Sequence, residues 1–373
     1  MLRNSERSDF TTCRWKWWMA YVDRWRPVDD KMNALIFGDI IHRGLAAWYI
    51  PERSKLKVVR GVKPAITVEK IFDALEMTER KREVPLFDTD STEWVDSKEL
   101  GIKMMEGYLD HYGKDEEIFM ICPEQPFQLD IYNESGQYTC TAVGTTDGLM
   151  RHRSTGKMGL LENKTAAQIS TEHLALDEQA NTYWTILPMW LRKQGILRTD
   201  ADLEFMQYNF LRKTFIADDR PKNAQGLYLN KPTVAQMQDA LSSKGVQFRK
   251  SGLKREDFQA LCEGHGIDWQ QLGGVSATQP DNLFHREMVY RNQYQREKTL
   301  ARISSQVREM RMVRTGQLDL YKSPGKHCVW CQYKDLCEID EYGGDAEAYL
   351  DAAFYHWNPY RDHIWSLDLE AAA

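Results

Sequence analysis

The chain has no apolar run approaching the roughly 18–20 residues that a membrane-spanning helix needs. Its first ten residues, MLRNSERSDF, lack the apolar core of a secretory signal, so the expectation is a cytoplasmic protein. There is no surplus of cations either. The net charge is −6 over 373 residues, whereas a passive nucleic-acid coat is usually basic. An acidic balance still leaves room for carboxylates gathered around a metal beside a local basic channel. The G-x-x-x-x-G-K-S/T loop is missing, which points away from a helicase-type motor. There is no internal repeat and no low-complexity segment. Cysteine is sparse and oddly placed. There are seven, an odd number, and with no visible secretory signal they make a poor disulfide framework. Cys328, Cys331 and Cys337 fall within one short stretch near the C-terminus, which suggests a metal or cluster site in a reducing compartment.

What is present reads as a globular α/β chain, with 28 % charged and 42 % hydrophobic residues. IFGDIIHRGLAAWYI, residues 36–50, has apolar residues at helical spacing. Residues 51–65 are basic and irregular, and 66–112 read as amphipathic helix with a looser charged patch at 79–97. From 117 the pattern alternates, and three strands separated by turn residues predict an antiparallel meander. A long helix over 170–195 follows, with Leu174, Leu176, Ala180, Tyr183, Trp184 and Leu187 inward, then a strand over 203–215. The expected organisation is an N-terminal segment 1–35, a core 36–216, and a helical insertion 217–284. A long helix with the cysteine cluster over 285–340 and a tail 341–373 complete it.

The chemistry-bearing pattern is Asp147 on one strand and Glu162-Asn163-Lys164 on the next. Side chains on a strand alternate, so Glu162 and Lys164 share a face and Asn163 points the other way. A hairpin brings Asp147 beside them. Hard oxygen ligands suit Mg²⁺ or Mn²⁺, and a lysine next to them suits phosphodiester hydrolysis. Taken alone, such a pair is equally a solvated ion-pair face. Two other features fall in order with it. His42 lies four residues after Gly38 on the first helix, and Gln179 and Tyr183 share a face of the later one.

Together GDIIH, TTDG, LLENK and QANTY resemble the RecB-like branch of the PD-(D/E)XK nuclease superfamily. The resemblance covers about residues 8–216 and 285–337. It implies an α/β core of a mixed central sheet flanked by helices. It implies metal ligation by His42, Asp147, Glu162 and the backbone carbonyl of Asn163, with Lys164 catalytic and Gln179 and Tyr183 supporting or touching DNA. Thr146 stands where many relatives have proline, a proline widely missing in this branch.

Cys328, Cys331 and Cys337 supply three thiolates, and Cys13 is the best candidate for a fourth. Four thiolates suit zinc or an iron–sulfur cluster, and spacing alone does not choose. The AddB-type and CRISPR-associated RecB-like nucleases have one cysteine before the histidine motif and three after the core. Resemblance to them implies a 4Fe–4S cluster joining the N- and C-terminal segments. The expected activity is Mg²⁺- or Mn²⁺-dependent DNA hydrolysis, exonucleolytic on single-stranded or end-bearing DNA, in recombination, repair or DNA processing. A stand-alone form of this kind resembles those of bacteriophages, whose place is the host cytoplasm. The rival readings are a structure-specific endonuclease and a non-catalytic DNA-binding module. The tryptophans among Arg14, Lys16, Arg24 and Arg26 are expected mainly to pack around the cysteines. Arg308, Arg311 and Arg314 share one helix face that is either a DNA channel or a solvated surface.

Overall fold

A strand buried on both faces belongs inside a sheet that helices cover on two sides. FMQYNFLR, residues Phe205–Arg212, is buried at every position but its last. It is the fourth strand of a mixed five-stranded sheet. The strands are β1 (Ile118–Tyr132), β2 (Tyr138–His152), β3 (Met158–Ala166), β4 (Phe205–Arg212) and β5 (Phe284–Val289), in that spatial order. β3 and β4 run parallel, and every other neighbouring pair is antiparallel. The computed structural model describes residues 1–28, 34–49, 52–54, 57–59, 61–82, 88–133, 135–199, 201–214, 221–249, 252–277 and 283–360. Parts of the basic stretch 51–65 and of the charged patch 79–97, and the end of the tail, lie outside the described residues.

Helices α1 (Asn4–Thr12), α2 (Ala34–Tyr49), α3 (Pro64–Glu79), α4 (Thr92–Tyr112) and α5 (Glu178–Lys193) belong to the same unit as the sheet. A parallel neighbour needs a crossover, and α5 makes it between β3 and β4. α5 starts later than the sequence pattern suggests. Leu174–Leu176 form a 3₁₀ turn, and the Asp177 side chain caps the helix by accepting from Ala180 N–H at 2.8 Å. Leu176, expected inward, stands 80 % exposed on that turn, while Leu174, Ala180, Tyr183, Trp184 and Leu187 are buried as expected. In α2, Phe37, Ile40, Ile41, Leu45 and Tyr49 are buried, the 3.6-residue stripe of a core-facing helix.

The long helix expected from 285 is a strand first. Phe284–Val289 pairs antiparallel with β4, and only Gln293–Arg314 is helical. The misreading has a physical cause: Arg286 looks solvent-bound in sequence but is held inside by Asp115. The core sheet therefore takes its fifth strand from beyond residue 216.

Residues Phe215–Leu283 form a second compact unit. Its helices α6 (Val234–Ser243) and α7 (Arg255–Gly264) pack Met237, Leu241, Phe258 and Cys262 into a small core of their own. After it come α8 (Gln293–Arg314), α9 (Lys334–Glu341) and α10 (Ala346–Ala353) of the first unit.

The N- and C-terminal segments meet. Trp25–Pro27 pairs with Phe354–His356, and the Tyr333 hydroxyl donates to Trp25 O at 2.6 Å. Trp17 is fully buried, edge-on to Phe10, and Trp25 stacks on His356 at 3.8 Å. The aromatics here are core. Arg311 and Arg314 are also engaged internally: Arg311 donates to Thr139 O, and Arg314 reaches Glu6 and lies over the Trp17 ring. Among the described residues, no helix is long and apolar enough to cross a membrane.

Candidate active site

Two strands that separate leave backbone groups and side chains facing a gap. β2 and β3 pair from Arg151–Met158 to Gly148–Leu161 and then stop. Past that point the Asn163 N–H donates to the carboxylate of Asp147, Oδ2, at 2.6 Å. Asp147 and Glu162 thus stand at the mouth of a fork, one on each strand. β3 stays paired to β4 through the fork, which holds Glu162, Asn163 and Lys164 rigidly.

Helix α2 brings His42 to the mouth. Its Nδ1 lies 3.5 Å from Asp147 Oδ1. Gly38, one turn earlier, faces β3: a β-carbon there would sit 3.4 Å from Thr165 Oγ1, an ordinary contact distance. Helix α5 supplies the far wall. Lys164 Nζ donates to Glu162 Oε1 at 2.7 Å and to Gln179 Oε1 at 3.0 Å. The Tyr183 phenol is buried and its pKa raised, first by burial and then by Glu162 and Asp147. His42, Asp147, Glu162, Lys164, Gln179 and Tyr183, expected from sequence, are therefore brought together.

Glu124 joins them, and sequence reasoning missed it. Pro123 pairs with Gly148 and Gln125 with Thr146, so Glu124 faces Asp147 across the β1–β2 ladder. A register shift between Met120 and Cys122 sets that alignment. Glu124 sits at φ 45, a left-handed conformation that non-glycine residues rarely adopt. One donor atom each from His42, Glu124 and Asp147 lie within 4.8 Å of one another. Glu162 is not in that trio. Its Oε1 is held by Lys164, and its Oε2 is buried without a hydrogen-bond partner, as is Glu124 Oε1.

The electrostatics follow from burying so many acids together. Burial raises Glu124 to about 8, with Asp147 adding to the shift. Burial raises Glu162 to about 7 against the pull of Lys164. For His42, burial opposes the charged form, but Asp147 outweighs it and the imidazole rises to about 9. Asp147 is buried too, yet His42 and the Asn163 N–H hold it below the usual carboxylate range. Lys164 is raised, since Glu162 outweighs the cost of burial.

A hard divalent cation fits this donor set. Two buried carboxylate oxygens lack partners, and an unpartnered buried anion is costly. Ligands at ~2.1 Å from one Mg²⁺ lie within ~4.2 Å of each other, so the trio needs little closure. A site of carboxylates, one imidazole and an adjacent lysine, set where two strands of a mixed sheet diverge, is suited to metal-assisted hydrolysis of a phosphate ester. Residues 5–338 match the PD-(D/E)XK nuclease superfamily, and the chain belongs to it. Members of that superfamily are metal-dependent nucleases. No curated protein matches the chain.

The cysteines expected to act together form no disulfide among the described residues. Cys13 Sγ accepts from Ser323 N–H at 3.4 Å, which ties the N-terminal cysteine to the start of the C-terminal cysteine segment. The Cys331 and Cys337 thiols are pushed up, first by burial, and each also feels Cys13 and Cys328. Among the described residues, no three cysteine sulfurs lie within 4.8 Å of one another.

Proposed function

We propose that the chain is a Mg²⁺- or Mn²⁺-dependent DNA nuclease of the RecB-like branch, acting as an exonuclease on single-stranded or end-bearing DNA. The observation that carries the reading is the fork itself, where His42, Glu124 and Asp147 converge and Glu162 stands on the facing strand with Lys164 bonded to it. His42, Glu124, Asp147 and Glu162 would hold the cation, with the Asn163 carbonyl adjacent. When bound, the cation polarises the phosphate and lowers the pKa of water. Lys164 holds its proton and places a fixed positive charge where the phosphate gains negative charge. Gln179 holds Lys164 in that pose, and Tyr183 closes the wall beside it.

For Cys13, Cys328, Cys331 and Cys337 the reading is a 4Fe–4S cluster, with zinc as the alternative. Its support is the Ser323 N–H bond to Cys13 Sγ, which brings the N-terminal thiol to the segment that leads into the other three. The role of the cluster is to hold the two ends of the chain, away from the hydrolytic chemistry.

A structure-specific endonuclease is the second reading. The compact unit 215–283, with its own core between β4 and β5, favours it as a place for reading a flap or junction. The test follows labelled linear single strands, blunt duplex and closed circles with Mn²⁺, for the parent and Glu162→Ala. Shortening of linear strands by the parent alone, with circles intact, is expected. Cutting of circles favours the endonuclease, and equal cleavage by both proteins refutes the site.

A further inference from the structure

Asn163 lies between two side chains that face the fork, and its own side chain points to the opposite sheet face. There it meets a row of polar residues running across three strands. Asn163 pairs with Asn209 in the β3–β4 register, and Asn209 pairs with Arg286 in the β4–β5 register. Asn209 Nδ2 donates to Asn163 Oδ1 at 2.8 Å and to the Tyr108 hydroxyl at 3.1 Å. Arg286 Nε reaches Asn209 Oδ1 at 3.4 Å. A guanidinium can only donate. It therefore fixes which end of the Asn209 amide faces it, and so aims the NH₂ group at Asn163.

Arg286 is itself clamped. It makes a two-pronged contact to Asp115, at 2.8 and 2.6 Å, and also donates to the Tyr108 hydroxyl at 2.8 Å. Its guanidinium lies 3.7 Å from the Tyr112 ring centre. The Tyr49 hydroxyl donates to Asp115 at 2.5 Å. Tyr49, Tyr108, Asn209 and Asn163 are all buried. Apolar residues fill a core with less risk, because a half-satisfied buried network is costly. What this one reaches is the peptide between Glu162 and Lys164.

We propose that Arg286 and Asn209 are positioning residues that hold the Asn163 peptide in register, and thereby set the cation-binding geometry of Asp147 and Glu162. This rests on the metal-dependent reading above. Asn163 is gripped from both sides: Asn209 holds its side chain, and Asp147 accepts from its N–H. Released from Asn209, the Asn163 peptide keeps its ladder pairing to β4 but loses the side-chain contact that fixes its tilt. A small change of tilt is enough to shift the Glu162 carboxylate and loosen the N–H bond that aims Asp147.

The test titrates full-length protein with Mn²⁺ in a calorimeter, alongside cleavage kinetics and thermal melts in EDTA. Asn163→Ala removes the grip and leaves the backbone. It is expected to weaken Mn²⁺ binding about ten-fold or more, the usual cost of losing a partner behind a metal ligand. The KM for DNA is expected to stay, and the melt to remain cooperative but fall in temperature, since the Asn209 amide loses a buried partner. Asn163→Asp keeps an oxygen for Asn209 and is expected to restore binding. Arg286→Lys keeps a cation beside Asp115 but gives up the Nε donor, and is expected to weaken Mn²⁺ binding from a distance. Should Asn163→Ala not fold, Arg286→Lys decides alone. Folded variants that bind Mn²⁺ like the parent overturn the positioning role and leave the nuclease reading standing. A parent that binds no Mn²⁺ overturns both.

Discussion

Lys164 sits between Glu162 and Gln179, held by two oxygens of unequal charge. An amine in that position is a fixed cation and does not ligate. Lys164→Ala is therefore expected to cut kcat by about 10²–10³, the usual loss of one fixed charge-stabilising donor, while Mn²⁺ binding by calorimetry persists. Loss of both together would assign the lysine to metal retention instead. The acids give a second expectation. A ligand must shed its proton before it binds metal. Without metal, Glu162 holds its proton to about 7, Glu124 to about 8 and His42 to about 9. Affinity for Mn²⁺ should therefore climb with pH through that window, and binding should release protons, seen as heats that differ between buffers. Heats independent of buffer would show that the ligands are already deprotonated. Glu124→Gln tests the residue that the sequence hid. It should raise the Mn²⁺ concentration for half-maximal cleavage and leave the melt in EDTA intact.

Element by element, legibility followed the range of the interactions. α2 and the β2–β3 hairpin were readable because their periodicities are local, and Glu162, Lys164, Asp147 and His42 came with them. Glu124 was not readable. Its place opposite Asp147 depends on the register shift between Met120 and Cys122, which no local pattern announces. β5 was missed for a similar reason. Its Arg286 is satisfied by Asp115, 171 positions away in the chain, so the segment looked like a solvated helix. The start of α5 was also misplaced, and it matters because Gln179 and Tyr183 depend on it. Asp177 caps that start. Asp177→Ala is expected to cost about 1 kcal/mol in urea unfolding and to reduce cleavage more than Mn²⁺ binding, since the cap precedes the Lys164 contact and not the ligands. Unchanged stability would show that packing of the buried face of α5 holds the helix without its cap.

At the scale of the whole molecule, the two ends of a long chain have to be kept together. The strand pairing of Trp25–Pro27 with Phe354–His356 and the Tyr333–Trp25 bond already do part of this. A cluster on Cys13 and Cys328, Cys331 and Cys337 would add a covalent-strength link across nearly the full sequence. In the chain-entropy treatment of cross-links, a loop of that length removes roughly 5–6 kcal/mol of unfolded-state freedom. The fork lies elsewhere in the same unit and draws its residues from α2, β1, β2, β3 and α5. Cys13→Ser prepared without oxygen should therefore lose the visible absorbance of the cluster and melt at lower temperature. At temperatures well below that melt, Mn²⁺ binding at the fork should survive. Cys262→Ser, in the core of the second unit, should keep the absorbance. A Cys13→Ser protein with full iron content and unchanged absorbance would remove Cys13 from the ligand set. The joining of the two ends would then fall to the strand pairing and the aromatic contacts around Tyr333 alone.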